Sequence, residues 1–363
     1  MERLLPWLRL QLTPGLGRVG LIRLIEHYKT PENAITHAKR GWSTAGLRND
    51  LTRAIPAATD DKIRRACDRL KEMNGRLLTL WEEGYPQRLR QIDDPPALLY
   101  CCGELPSEPA VAIVGTRHPT DFGRMFTKKL ARDIAAAGIV IVSGMARGID
   151  SAAHRGALEG GSKTVAVLGC GIDYIYPPEN SALYKQIIEN GALLSEYPPG
   201  SEPLPGHFPG RNRIISALGL GTLVVEACRD SGSLITAEFA LEQGREVMAV
   251  PGSVDRKTSY GPNMLIKQGA HPVTEPEEVL QILGLSACRN NGKGGQSISD
   301  ADLPEPSARV LAALGLTPRH CDELTMESGL TPMELSVILL HLELQGYAEK
   351  LPGGRYVRGH RAL

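Results

Sequence analysis

The stretch LSEYPPGSEPLPGHFPGRNRIIS (194–216) places His207, Phe208, Arg211, Asn212 and Arg213 close together in the chain. An aromatic ring flanked by guanidinium groups suits an unpaired nucleic acid. The ring stacks on a base, contributing roughly 1–3 kcal/mol, while the arginines hold phosphates. Residues 195–210 contain five prolines and three glycines, and a long stiff loop in a compact sheet protein is usually functional. Plainer readings stand beside this one: Phe208 as a hydrophobic plug under the loop, and Arg213 as the ion-pair partner of Glu226 or Asp230. SGMARGIDSAAHRGAL (143–158) is a second site candidate. Small residues at Ser143 and Gly144 let an anion approach backbone N–H groups at a helix start near Gly148–Asp150, and Arg147 adds a charge-assisted contact. The alternative there is a tight strand-to-helix turn that needs small residues only for packing. Glu226, at the end of TLVVEA, could act as a general base or nucleophile in a nucleoside-cleaving enzyme, or orient an arginine. No Ser–His–Asp or paired-carboxylate arrangement is evident.

These residues need a scaffold, and the pattern around them supplies one. Short apolar runs at AVAIVG (110–115), IVIVSG (139–144), TVAVLG (164–169), ALLSE (192–196), TLVVEA (222–227) and EVMAVPG (246–252) alternate with helix-like stretches. Continuous apolar strands alternating with helices predict an α/β fold with a doubly wound, mostly parallel sheet. Ligands in such sheets bind at the carboxyl ends of the strands, which here carry Gly115-Thr116-Arg117, Ser143-Gly144, Gly169-Cys170-Gly171, Glu226 and Pro251-Gly252-Ser253. The first strand lacks GxGxxG spacing, and GALEGGSKT precedes a strand and lacks the Gly-Lys-Ser/Thr order, so dinucleotide binding and a P-loop are both set aside.

Four segments follow. Residues 1–82 read as short helices around a Gly-rich hairpin (Pro14, Gly15, Gly17), either a phosphate-contacting device or a tight turn between packed helices. Residues 83–287 hold the sheet, 288–306 a polar Gly-rich linker, and 307–363 three helices plus a hairpin around Gly353-Gly354, the outline of a winged helix. Its third helix, TPMELSVILLHLELQG (331–346), carries Glu334 and Glu343 and no Lys or Arg. That disfavours duplex reading and favours a packing or protein-contact role, although Arg355, Arg358 and Arg361 lie in and beyond the wing.

In 363 residues, 41 basic side chains balance 41 acidic ones. A polybasic coat is therefore excluded, and any nucleic-acid site must be local. Seven cysteines without a CxxC pair argue against a zinc ribbon or a disulfide framework and suit a reducing cytoplasm. No apolar run reaches membrane-spanning length and no signal peptide is apparent, so a cytoplasmic protein is expected, without cofactor or metal.

Taken with GYPQRLRQIDDPPALLYCCG (84–103), VAIVGTRHPTDFG (111–123), TVAVLGCGIDYIYPPEN (164–180), HFPGRNRIIS (207–216) and the block Thr222–Ser253, the chain resembles the DprA/Smf family of bacterial DNA-processing proteins. The resemblance is dense over 84–283 and looser at both flanks. It implies an extended Rossmann domain between a sterile-alpha-motif-like helical domain (the helix-hairpin-helix segment) and a winged-helix domain. It also implies a non-enzymatic homodimer that binds and protects incoming single-stranded DNA, displaces single-strand-binding protein and loads RecA during natural transformation and recombination. The implied pocket is Arg117, Ser143-Gly144, Phe208, Arg211, Asn212 and Arg213. IISALG after the arginines departs from the small-residue turn of many relatives. The residues so far predict a shared cationic crevice in which Arg117, Arg147, Arg211 and Arg213 neutralise phosphates, Phe208 stacks, and Gly115, Thr116 and His207 lie alongside. The competing expectation is a base-releasing N-glycosidase-like enzyme using Glu226.

Overall fold

The computed structural model describes residues 3–285, 305–315, 317–344 and 346–359. Nine strands form the main sheet: β1 Arg76–Thr79, β2 Leu98–Gly103, β3 Ala110–Val114, β4 Val140–Ser143, β5 Thr164–Leu168, β6 Gly191–Ser195, β7 Gly221–Val224, β8 Glu246–Ala249 and β9 His271–Pro272. Their order is β1-β2-β6-β5-β4-β3-β7-β8-β9. From β6 to β9 the pairing is parallel, while β1 and β2 add an antiparallel edge. All five residues of β3 are buried, because helices cover both faces and every strand side chain points into a core. Alternate residues enter opposite layers. Val111 and Ile113 pack with Phe126, Leu130, Ile134 and Ile149. Ala112 and Val114 pack with Ile214, Ile215, Ala237 and Ala240.

All six anticipated strands are present. β1, β2 and the two-residue β9 are additional: RLLT is a short half-buried edge segment, and its partners in β2 lie 19 to 25 positions further along the chain. β1 also falls before residue 83, so the sheet begins inside the segment expected to be wholly helical. The N-terminal helices close against this edge. Leu8 packs with Tyr100 of β2, and Trp7, Leu10 and Trp42 pack with Leu98.

Glu305 and Pro306 already belong to a helix, and the rest of the anticipated linker lies outside the described residues. Helices Glu305–Ala313, Cys321–Ser328 and Pro332–Leu344 surround their own core of Val310, Leu324, Leu339 and Leu342. A hairpin of β11 Ala348–Leu351 and β12 Arg355–Arg358, with the short β10 Arg319–His320 on its edge, completes the winged helix. Gly353 and Gly354 take φ of +81° and +68° at its turn, a left-handed pair that side chains with a Cβ adopt at a cost.

Candidate nucleic-acid groove

The strand order reverses at β3, which has β4 on one side and β7 on the other. Chain leaving β3 and chain leaving β7 turn to opposite faces, so their carboxyl ends part and leave a crevice. A groove of about 610 Å³ occupies that place. Gly115, Thr116, Arg117 and His118 border it after β3. Phe208, Arg211 and Asn212 come from helix His207–Leu218, and Cys228, Asp230 and Ser231 follow β7.

The His207–Arg213 cluster sits on that helix, not on the loop before it. Pro209 is compatible with the first helical turn, because the missing N–H would have had no partner there. Helical spacing then separates the side chains. Phe208 and Arg211 are one turn apart and share a face, whereas Arg211 and Arg213 point about 200° apart at 3.6 residues per turn.

Arg211 faces inward and is 4% exposed. Its Nη1 donates to the carbonyls of Gly144, at 2.7 Å, and Val167. Asp150 lies beside it and accepts from the N–H groups of Gly144 and Ala146 at 3.2 and 3.3 Å. Burial pushes the Asp150 carboxyl up, and Arg211 pulls against that shift; burial likewise lowers Arg211, opposed by Asp150. A Cβ on Gly144 would come within 2.7 Å of both Arg211 Nη2 and Asp150 Oδ2. Gly144 therefore makes room for two buried charged groups, and its N–H is held by Asp150. Ser143 donates to the Ile113 carbonyl at 2.6 Å.

Arg213 is also 4% exposed. Its carboxylate partners are Glu196, at 2.8 Å, and Asp94, at 3.2 Å, in place of the Glu226 or Asp230 anticipated from sequence. Arg18, which opens the helix after the Gly-rich hairpin, binds the same two carboxylates. That hairpin thus locks the N-terminal helices onto the sheet. Arg147 is exposed and paired with Glu179. His207 stacks on Tyr197 with centroids 3.9 Å apart, and its Nδ1 lies 3.2 Å from the Gly169 carbonyl. Asn212 donates to Gly232 O at 3.1 Å and ties one groove wall to the other. Gly115 has no space for a side chain, since a Cβ would meet Ile149 at 2.6 Å. The Thr116 N–H donates to the Glu226 carbonyl at 2.7 Å.

Arg117 differs from the other arginines. It is exposed, and among the described residues it has no carboxylate within ion-pair distance. Its guanidinium carbon lies 5.6 Å from the Phe208 ring centroid, with Arg211 at 5.8 Å from the same ring. Tyr176 adds a second ring 5.6 Å away, and a Cβ on Gly169 would press on Phe208 at 2.9 Å. The anticipated four-arginine crevice therefore resolves differently. Arg117 is the open cation, Arg147 sits in an exposed pair, and Arg211 and Arg213 are interior groups that hold the wall. Tyr176, Asp150, Glu196 and Asp94 all lie inside stretches the sequence singles out, but their contacts with Phe208, Arg211 and Arg213 escaped the sequence reading because each joins residues distant in the chain.

The family model for DNA recombination-mediator protein A matches residues 76–284, and the DprA winged helix domain model matches 297–354. The chain belongs to the DprA/Smf family. Protein Smf of Synechocystis is 34% identical over 97% of this chain and 98% of its own length. Protein Smf of Escherichia coli is 41% identical over 81% of this chain and 80% of its own. Among solved structures of this DprA/Smf group, DNA processing protein A of Streptococcus pneumoniae shares 36% identity with a TM-score of 0.67, covering 76% of this chain and 96% of that one. DNA processing protein A of Helicobacter pylori, described for its single-stranded DNA binding mode, shares 33% identity with a TM-score of 0.52, covering 58% and 95%.

Proposed function

We propose that the groove at the β3/β7 divergence grips single-stranded DNA without reading its sequence, and that the protein delivers the strand to a RecA-type recombinase as a homodimer in the cytoplasm. The observation that carries the binding reading is Arg117, an unpaired exposed guanidinium standing over Phe208 at the mouth of an open groove. It contacts a phosphate while Phe208 and Tyr176 offer rings to a base. Arg147 joins by exchanging Glu179 for a phosphate, since exposed pairs are weak. Arg211, Arg213, Ser143 and Gly144 shape the wall. Asn212 holds the two rims together. A protein that presents one or two open cations to the strand has shallow salt dependence, about 0.7 per phosphate on single strands.

Glu226 serves a different purpose from catalysis. Its carboxylate accepts from Thr120 N at 2.9 Å and Thr120 Oγ1 at 2.5 Å, and the same hydroxyl caps helix Asp121–Ala136 through Gly123 N. That engagement favours binding over base release.

The test is fluorescence anisotropy on a labelled oligothymidylate across a salt series. Arg117→Ala should weaken binding and lower the logarithmic salt slope by about 0.7. Phe208→Ala should weaken binding with the slope unchanged. Unaltered affinity and slope in Arg117→Ala would remove the groove as the site. Hand-over is read separately, as the stimulation of recombinase filament formation on strands coated with single-strand-binding protein.

A further inference from the structure

Beyond the groove, the carboxyl ends of β7 and β8 carry a second cluster. Cys228 and Asp230 line the groove, while Arg229 between them turns to Tyr260. Its guanidinium carbon lies 4.7 Å from the Tyr260 ring centroid, and its Nη2 donates to the phenol oxygen at 2.7 Å. Both residues are on the surface, Tyr260 with 37% exposure. No carboxylate pairs with Arg229 among the described residues.

The backbone holds this pair in place. Ala227 N donates to Thr258 O at 2.7 Å, and Gly261 N donates to Ala227 O at 2.8 Å. The start of helix Tyr260–Lys267 is thereby fixed to the residue that precedes the groove rim. An exposed segment after β8 adds Arg256 and Lys257 against Asp255 and borders a second cavity of about 330 Å³. A ring whose hydroxyl is anchored, with an arginine laid across it, is a rigid stacking surface that loses little rotamer entropy on binding.

On the opposite side of β3, Tyr176 follows β5 and stands by Phe208. Across the carboxyl edge of the sheet, in spatial order, lie Tyr176 and Phe208, then Arg117, then Arg229 with Tyr260.

We infer that Arg229 and Tyr260 form a second nucleotide subsite, which takes the single strand as it leaves the groove over the 228–230 rim. This subsite rests on the proposed groove. It adds a direction: the strand runs across the carboxyl edge from the β5 side towards the β8 side. Stacking on Tyr260 and a phosphate contact from Arg229 act together, and both matter only for a strand long enough to span the two positions.

Two oligothymidylate lengths test this, one short enough to occupy the groove alone and one about three times longer, each measured with wild type, Arg117→Ala, Arg229→Ala, Tyr260→Ala and Tyr260→Phe. With the long strand, Tyr260→Ala should lose about tenfold in affinity, within the range of one stacked base. Tyr260→Phe should keep nearly all of it. Arg229→Ala should weaken binding and lower the salt slope on the long strand only. Tyr260→Trp should show fluorescence quenched by the long strand and unaffected by the short one. Equal affinities of wild type, Tyr260→Ala and Arg229→Ala on the long strand would overturn the subsite, as would an equal loss on both lengths. Failure of Arg117→Ala to weaken either strand would instead overturn the groove itself, so the two failures are separate.

Discussion

Arg211 and Arg213 show how one residue type divides its roles by environment. Both stand in the stretch that reads as a nucleic-acid cluster, yet both are interior. Removing Arg211 takes the neighbouring guanidinium from the buried Asp150, which keeps only the Gly144 and Ala146 N–H groups, and strips the Gly144 and Val167 carbonyls of a donor, a change that costs about 3–5 kcal/mol. Arg211→Ala should therefore lower the melting temperature by roughly 6–20 °C, at about 2–4 °C per kcal/mol for a domain of this size. Thermal denaturation followed by circular dichroism gives the answer, and a variant that loses DNA affinity at unchanged stability would place Arg211 at the ligand instead. His154 is a second interior titrating group. Burial holds its imidazole down to about 3 from 6.5; Nδ1 lies 2.8 Å from Thr164 Oγ1, and Nε2 has no hydrogen-bond partner among the described residues. The unfolded chain takes up a proton below pH 6.5 that the folded chain refuses. The stability this group contributes above that pH therefore falls as pH drops towards 3, by about 1.4 kcal/mol per unit. Urea melts between pH 6.5 and pH 5, above the range of the lowered carboxylates, should show a slope smaller by about that amount in His154→Leu than in the wild type.

At the element scale, Glu226 and Thr120 link the chain just after β7 to the start of helix Asp121–Ala136, beside the smaller cavity and not in the groove. Thr120→Ala removes the cap and one of the two bonds to Glu226, and should cost about 1–2 kcal/mol, while the remaining bond from Thr120 N to Glu226 still holds the loop that carries Arg117. Chemical denaturation reads the loss, and little change in DNA affinity is expected. The winged helix offers a contrasting case. Helix Pro332–Leu344 buries Leu335, Leu339 and Leu342 and exposes Met333, Val337 and Leu340 on its other side. An exposed apolar stripe on a helix with no Lys or Arg is a poor match to duplex phosphates. Deleting residues 305–363 should leave single-strand affinity within about twofold, because the groove's phosphate contacts come from the sheet domain; a large loss in the same anisotropy assay would assign the wing to the DNA.

For the whole molecule, a neutral chain binds a polyanion only by localising its cations, and around the groove the fold does so by pairing Arg147 and Arg213 with carboxylates and leaving Arg117 open. Arg18, Arg213, Asp94 and Glu196 form one such network, which fastens the N-terminal helices to the sheet. The strands, the helix starting near Gly148, the winged helix with its Gly353-Gly354 turn and the cluster of small and polar residues at the strand ends were all legible in the sequence, because each follows from local periodicity or from a backbone need confined to a few neighbours. The strands β1, β2 and β9 were not, since their pairing joins distant segments and leaves no period. The partners of the arginines were hidden for the same reason. Residue types alone show that Arg117, Arg147, Arg211 and Arg213 are positively charged, but only the packing of Asp150, Glu179, Glu196 and Asp94 around them decides which charge is cancelled inside the protein and which remains for a ligand. Sequence by itself determined the architecture and the end of the sheet that carries the proposed groove; tertiary structure decided which side chains are free there, because ion pairing and burial depend on distances between groups far apart along the chain.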